Sequence, residues 1–500
     1  YYIAANHAFL QSLSALKPLP VLTKLSSLSS HIKIDKYYKK IVMKIKFVKL
    51  MLFISILILG MINSSCSEDE SSSDQHESNI ASCEGCHTDY EHLQEVYTPD
   101  TVAPAGGCGG EAPHYEPYKR VYMGGTGYEE FKNSGHYDMG CVACHNGTDN
   151  TSEKAVAHSG DFISHPSMYY EDKCGTCHSE IASNFNTSLH QGTGQKRKVA
   201  IRSGLSGPED FDQLPQHQIE GYNQNCASCH GTCGNCHIVR PAAAGGGLSN
   251  GHAFNKTPDM LNVCVSCHSS RGGHAYLGVA TGTEPDVHLT SNSFECMDCH
   301  TGAELHGNGQ PVEQRYAYTE LPRCENCHDN LASSNSYHTT HYNDFNCQVC
   351  HSQDYNNCGQ CHINFDGSTK SGAGAQIPSY QDYKIAQNPI PNVKTGFKFA
   401  LVRRTLAAPE NWNAYETNAY PNFDALPTYN FTTPHNILRW TERTQVTDGE
   451  SCYSNCHIRN EGGTLVNKEL YLFQEDLLDW ELGATSGITV DGELPSSWIN

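Results

Sequence analysis

Cysteine and histidine carry the chemistry of this chain. Ten times the sequence writes Cys-x-x-Cys-His: at Cys83-Cys86-His87, Cys141-Cys144-His145, Cys174-Cys177-His178, Cys226-Cys229-His230, Cys233-Cys236-His237, Cys264-Cys267-His268, Cys296-Cys299-His300, Cys324-Cys327-His328, Cys347-Cys350-His351 and Cys358-Cys361-His362. An eleventh copy is longer by one residue, with Cys452, Cys456 and His457. Together they hold 22 of the 24 cysteines and leave only Cys66 and Cys108. Positions i, i+3 and i+4 share one side of a helical turn, so two sulfurs and one imidazole can meet a single flat ring. This is the attachment signature of c-type haem: the thiols add to the porphyrin vinyl groups and the histidine binds iron. In the stretched copy the cysteines stand at i and i+4, still on one face. The expected cofactor is haem c, ten to eleven per chain.

Zinc ribbons, disulfides and thioredoxin-type redox pairs also use paired cysteines. None of them requires a histidine directly after every pair. With His at 28 of 500 positions, chance places one there about once in eighteen trials, yet all ten regular pairs have it.

Each haem iron has a second axial position. His7, His31 and His76 lie in the leading segment or linker, and the eleven motif histidines are committed as proximal ligands. Fourteen remain as candidate distal ligands: His92, His114, His136, His158, His165, His190, His217, His252, His274, His288, His306, His338, His341 and His435. That supply covers eleven haems. Methionine is scarce downstream, at Met123, Met139, Met168, Met260 and Met297. The expectation is mostly bis-histidine, low-spin, low-potential haem. Which histidine serves which iron is not readable, because a distal ligand often comes from another segment.

The elements that must hold these groups are sparse. From Cys83 to His362 the chain spends 280 residues on ten sites, with gaps too uneven for a structural repeat. Hydrophobic content of 38% and a mean hydropathy of −0.52 leave a conventional core short of apolar surface, which buried porphyrin faces would supply. The expected fold is mostly irregular with short α-helices, one turn at each motif, in a multihaem haem-chain architecture. A C-terminal extension carries a few strands and a helix, with strand composition over Thr395 to Leu406 and an amphipathic helix expected over Lys468 to Leu482. Four regions result: 1–65, an upstream segment and signal peptide starting at Met43; 66–82, an acidic Ser-rich linker; 83–370, the ten-haem region; and 371–500, a C-terminal domain with the stretched site. That last part is expected to pack against the haem chain.

Lys44, Lys46 and Lys49 followed by the apolar run Leu50 to Ile62 read as an export signal, too short for a membrane span. The following Asn63-Ser64-Ser65-Cys66 resembles a bacterial lipoprotein processing site, with Cys66 as the lipidated residue, although Asn63 stands where that pattern carries an apolar residue. Removing 1–65 leaves 24 basic and 53 acidic side chains. Such a surface disfavours nucleic acid and favours basic redox proteins or metal cations.

The ten motifs, and more loosely Thr433-Pro434-His435 ahead of the stretched one, resemble the multihaem c-type cytochromes of bacterial envelopes, in particular the outer-membrane or extracellular kind. The resemblance implies an electron conduit, anchored by lipid in the outer membrane and facing the cell surface, or else periplasmic. Its partners would be redox protein donors and acceptors, including other cytochromes or an outer-membrane porin, and a metal or mineral acceptor. Two other expectations stand beside it. One is a reductase of nitrite, hydroxylamine or a sulfur oxyanion, which needs an iron with an open position; the irregular Cys452 site and the lone Cys108 among glycines keep it alive. The other is a subunit of an extracellular cytochrome filament. No catalytic residue is assigned, and an electron carrier is favoured over a catalyst.

Overall fold

The computed structural model describes residues 80–101, 113–191, 193–225, 231–269, 272–280, 282–311, 314–355, 380–406, 409, 416–446 and 452–499. The export and lipidation segment with Cys66, the thiol Cys108, and the Cys226-Cys229-His230 and Cys358-Cys361-His362 motifs lie outside these residues. The described parts belong to one compact unit, Ser78–Asn500. They are mostly short helices and irregular chain, with a few strands near the C-terminus.

The described motifs form the expected single turns, and polar side chains beside or inside several of them explain why. Helix Cys83–Thr88 starts where the Ser82 hydroxyl accepts a bond from Gly85 N–H at 2.9 Å. In Cys233–His237 the second spacer residue, Asn235, accepts from the backbone N–H of Thr232 at 2.9 Å. Asp298 does the same for Glu295 at 2.7 Å and Asn326 for Arg323 at 2.9 Å. The spacer of the motif is therefore partly chosen: a short acceptor at its second position ties off an orphan donor of the turn. The two longest helices of the motif region, Thr193–Arg202 and Gln216–Asn225, pack through Phe211, Leu214 and Tyr222 in the chain between and within them.

Strands β1 (Tyr380–Gln387), β2 (Phe399–Leu406) and β3 (Tyr429–Phe431) make an antiparallel sheet in that order, with Ile385 opposite Leu401 and Arg404 opposite Tyr429. Both faces are covered. Tyr383, Ile385, Phe399 and Leu401 join one core with Val349, Ile458, Tyr471 and Trp498, while Ala386, Val402 and Tyr429 join another with Leu472 and Ile488. A hairpin of β4 (Arg459–Glu461) and β5 (Thr464–Val466) follows helix Cys452–Cys456.

This C-terminal part is bound directly to the motif region. Asn346 stands just ahead of helix Cys347–His351 and fastens it to β2, since its N–H donates to Phe399 O at 3.1 Å and its side chain accepts from Leu401 N–H at 2.9 Å. At the other end of that helix the buried Arg443 guanidinium donates to Val349 O at 2.7 Å and Ser352 O at 2.6 Å, satisfying carbonyls the helix leaves open.

The helix expected over Lys468 to Leu482 is not there. The segment instead makes three separate 3-10 turns, Lys468–Leu470, Gln474–Asp476 and Asp479–Glu481, before the short helix Leu482–Thr485. Two forces override the amphipathic pattern. Leu472 is drawn out alongside β1, donating to Ile385 O and accepting from Val490 N–H, both at 2.9 Å. Asp476 and Glu481 bond back to the N–H groups of Phe473 and Leu478, closing each turn on itself.

Glu481 is fully buried and binds Arg404 Nη1 at 2.8 Å. Glu481→Ala should lower stability by about 3–5 kcal/mol, because it removes the nearer carboxylate of a buried guanidinium, Asp382 standing 3.9 Å away. Glu493→Ala, at the exposed pair with Lys398, should cost less than about 1 kcal/mol. Thermal unfolding of the two variants side by side checks the contrast.

Candidate haem-holding site

Nine motif histidines lie among the described residues, and each has one further imidazole across from it. The pairs are His87 with His158, His145 with His252, His178 with His136, His237 with His306 and His268 with His190. The others are His300 with His435, His328 with His288, His351 with His338 and His457 with His341. Ring centres stand 6.0 to 6.2 Å apart in all nine. The angle between ring planes, by contrast, runs from 22° to 74°.

A fixed distance with a free angle is not stacking. Where an imidazole here does stack, as His136 on Phe254, the rings are 3.9 Å apart and parallel to 1°. Two metal–nitrogen bonds of about 2 Å, with about 1.1 Å from each nitrogen to its ring centre, sum to about 6.2 Å. The observed spacing therefore fits two imidazoles on opposite sides of one metal, each rotating about a shared axis.

The hydrogen bonds fix which nitrogen is available. Nδ1 of His87 bonds Val121 O at 3.1 Å, that of His145 Ile163 O at 2.9 Å, and that of His237 Asn255 O at 2.7 Å. Likewise His351 bonds Leu438 O at 3.1 Å and His457 bonds Ser497 O at 3.3 Å. On the opposite side, His158 bonds Lys154 O at 2.8 Å and His338 bonds Leu331 O at 3.0 Å. A carbonyl can only accept, so Nδ1 carries the proton and Nε2 keeps the lone pair a metal needs. Burial adds to this. It lowers the pKa of His87, His145, His190, His351 and His435, and brings His252 down to about 4, which keeps the rings neutral. His300 differs: the Glu304 carboxylate takes its Nδ1 proton bond at 2.8 Å and raises its pKa.

Backbone strain marks one of the rings. His252 holds φ at +72°, a region that residues other than glycine rarely adopt, and sits half-buried with its ring 4.7 Å from that of Phe131.

All eighteen rings line one continuous cavity of 3570 Å³ together with the described thiols from Cys83 to Cys456. Spread over nine pairs this is about 400 Å³ each, within the range of a single small-molecule pocket. The donors come as opposed pairs, and among the described residues no three His, Cys, Asp or Glu groups converge as a tetrahedral zinc site requires. Burial pushes Cys83 up to about 12 and Cys236 up to about 11, while a hydrogen bond from a neighbouring thiol lowers Cys233, Cys264 and Cys324.

Five candidate distal histidines face none of the nine described motif histidines. His114 and His217 bond Glu116 and Glu416 instead, at 3.2 and 3.0 Å. His165 lines the cavity, while His92 and His274 are half-buried with no imidazole set opposite among the described residues. Among the nine that are paired, only His338 faces the motif that follows it in the chain. His435, upstream of the stretched motif, faces His300. The stretched motif itself is part of the same arrangement through His457. Comparison with known proteins finds no matching family model, no matching curated protein and no matching solved structure.

Gly272, at φ +131°, lies where an added Cβ would come within 3.3 Å of His435 Nδ1. Gly272→Ala should cost about 1–3 kcal/mol and displace the His300–His435 pair. Gly487→Ala, with open space around it, should stay within about 0.5 kcal/mol of the parent. Melting temperatures of both variants test this.

Proposed function

We propose that this chain is a multihaem c-type cytochrome that conducts electrons across or outside the cell envelope. The observation that carries the reading is the common spacing of nine imidazole pairs, each set beside a motif with the cysteines needed to fasten a porphyrin. His87, His145, His178, His237, His268, His300, His328, His351 and His457 would hold iron from one side. His158, His252, His136, His306, His190, His435, His288, His338 and His341 would hold it from the other. His230 and His362 serve the two remaining sites. Iron held by two imidazoles changes oxidation state without taking a substrate, which suits a relay. A reductase needs an open coordination position, and each of the nine described motif histidines already has a second imidazole opposite.

The surface charge and the sequence around Cys66 support an exported, lipid-anchored protein that passes electrons between redox proteins, or on to a metal or mineral acceptor. Among the described residues no helix is long and apolar enough to cross a membrane.

Intact mass of the purified protein should show eleven haems and a lipidated Cys66, and ferric spectra should be low-spin; a colourless protein, with thiols holding zinc or paired in disulfides, overturns the reading. Removing one opposite ligand, as in His435→Ala, should leave the haem count unchanged and add one high-spin ferric centre in electron paramagnetic resonance. Glu304→Gln should raise the midpoint potential of one haem by about 60 mV, a tenfold change in one-electron equilibrium, because a carboxylate acceptor makes His300 a stronger donor to ferric iron. A spectroelectrochemical titration reads that shift.

A further inference from the structure

The cysteines of different described motifs approach one another in a definite succession, three pairs of them by hydrogen bond. Asp149 links the Cys83 and Cys141 sites, bonding Cys83 N–H at 2.8 Å while the two thiols lie within electrostatic reach of each other. Lys173, beside Cys174, donates to Ala143 O at 3.1 Å and to Asn146 at 2.7 Å across the Cys141 helix, and Cys144 interacts with Cys174. Cys174 is hydrogen-bonded to Cys233, with Ser167 and Thr232 in contact at 2.7 Å alongside.

The succession continues to the far end. Cys236 neighbours Cys264 and Cys267, and Cys264 is hydrogen-bonded to Cys296. Cys299 then neighbours Cys327, and Cys324 is hydrogen-bonded to Cys347. Last, the Tyr471 ring lies beside both Cys350 and Cys456 and donates its hydroxyl proton to Cys456 O at 2.9 Å.

The imidazoles repeat the order independently. His252, opposite the second motif, is within reach of His87 of the first pair and His136 of the third. His190, opposite the Cys264 motif, neighbours His306 and His300 of the pairs on either side, and His351 neighbours His328. A thioether bond would fix each ring edge to its sulfur, so porphyrins held by neighbouring sulfurs would lie close, edge to edge.

Resting on the cytochrome reading above, we propose that the haems of the Cys83, Cys141, Cys174, Cys233, Cys264, Cys296, Cys324, Cys347 and Cys452 motifs form one relay in that order, each passing electrons directly to the next without the Cys226 or the Cys358 haem between them. Among the described sites the two terminal ones are those of His87 and His457, the latter with the Trp498 ring 5.9 Å away.

The test uses the full haem-loaded chain with Cys66→Ser and Cys108→Ser, held on gold through Ile499→Cys, an exposed position next to Trp498. Fast voltammetry counts the haems that exchange electrons with the electrode. Deleting the Cys296 site (Cys296→Ala, Cys299→Ala) should remove one haem by mass but more than half of the fast charge, because everything beyond it is cut off. Deleting the Cys226 site (Cys226→Ala, Cys229→Ala) should remove one haem by mass and one haem's share of charge. Equal losses of a single share in both variants overturn the order while leaving the cytochrome reading intact; a parent chain that carries no haem overturns both. Should a variant fail to fold, electron cryomicroscopy of the parent holoprotein reads the iron order directly. An iron of the Cys226 or Cys358 site standing between two consecutive members then sinks the proposal.

Discussion

The constraint on which this structure depends is the distance between two imidazoles. Nine times, two rings from separate segments are held about 6 Å apart, too far to stack and with Nδ1 engaged elsewhere in both partners of at least two pairs. Nothing in direct imidazole contact favours that spacing. Two lone pairs brought face to face repel unless an electron-poor atom lies between them, so the arrangement makes physical sense as the two axial positions of a metal. The short helices, the tight loops and the carbonyls that orient each ring can all be understood as means of keeping that gap.

The same constraint accounts for the modest apolar core. Where the sequence supplies ordinary apolar segments, as in the sheet around Ile385, Leu401 and Tyr429, the chain packs conventionally. Where it supplies the motifs, side chains surround a long cavity, and apolar groups such as Phe131, Phe254 and Val265 line it without closing it. Flat aromatic rings are the natural complement of such a space, since their faces would provide the burial the side chains do not.

Much of the site was legible beforehand because its parts are local. A cysteine pair and its histidine lie within five residues, so spacing alone identifies them and predicts the helical turn each one forms. The pool of opposing histidines was also legible from composition. Their assignment was not, because it is decided by tertiary contact: His435 lies nearer in sequence to His457 than to His300, yet segment 433–438 runs beside Asp286 and His351 and delivers His435 to His300. The expected helix over Lys468 to Leu482 failed for a related reason, since its amphipathic pattern was real but β1 and the carboxylates of Asp476 and Glu481 offered the backbone better partners. The capping role of Asn235, Asp298 and Asn326 was readable in principle, as short acceptors repeated at one spacer position.

Ring pairs assembled from remote stretches of chain also bear on biogenesis. In the proposed holoprotein the thioether bonds and the motif histidine can be joined to a porphyrin as soon as a short stretch has been exported, but for His87, His145, His237 and His300 the opposite ligand arrives only when a later segment is delivered. His145 must wait for His252 and His300 for His435, so these porphyrins would spend time with one coordination position open, amid other histidines able to occupy it. Maturation of such a chain is then a problem of exchanging provisional ligands for final ones, and the last stretch to emerge, carrying both His435 and His457, is the one that locks the array.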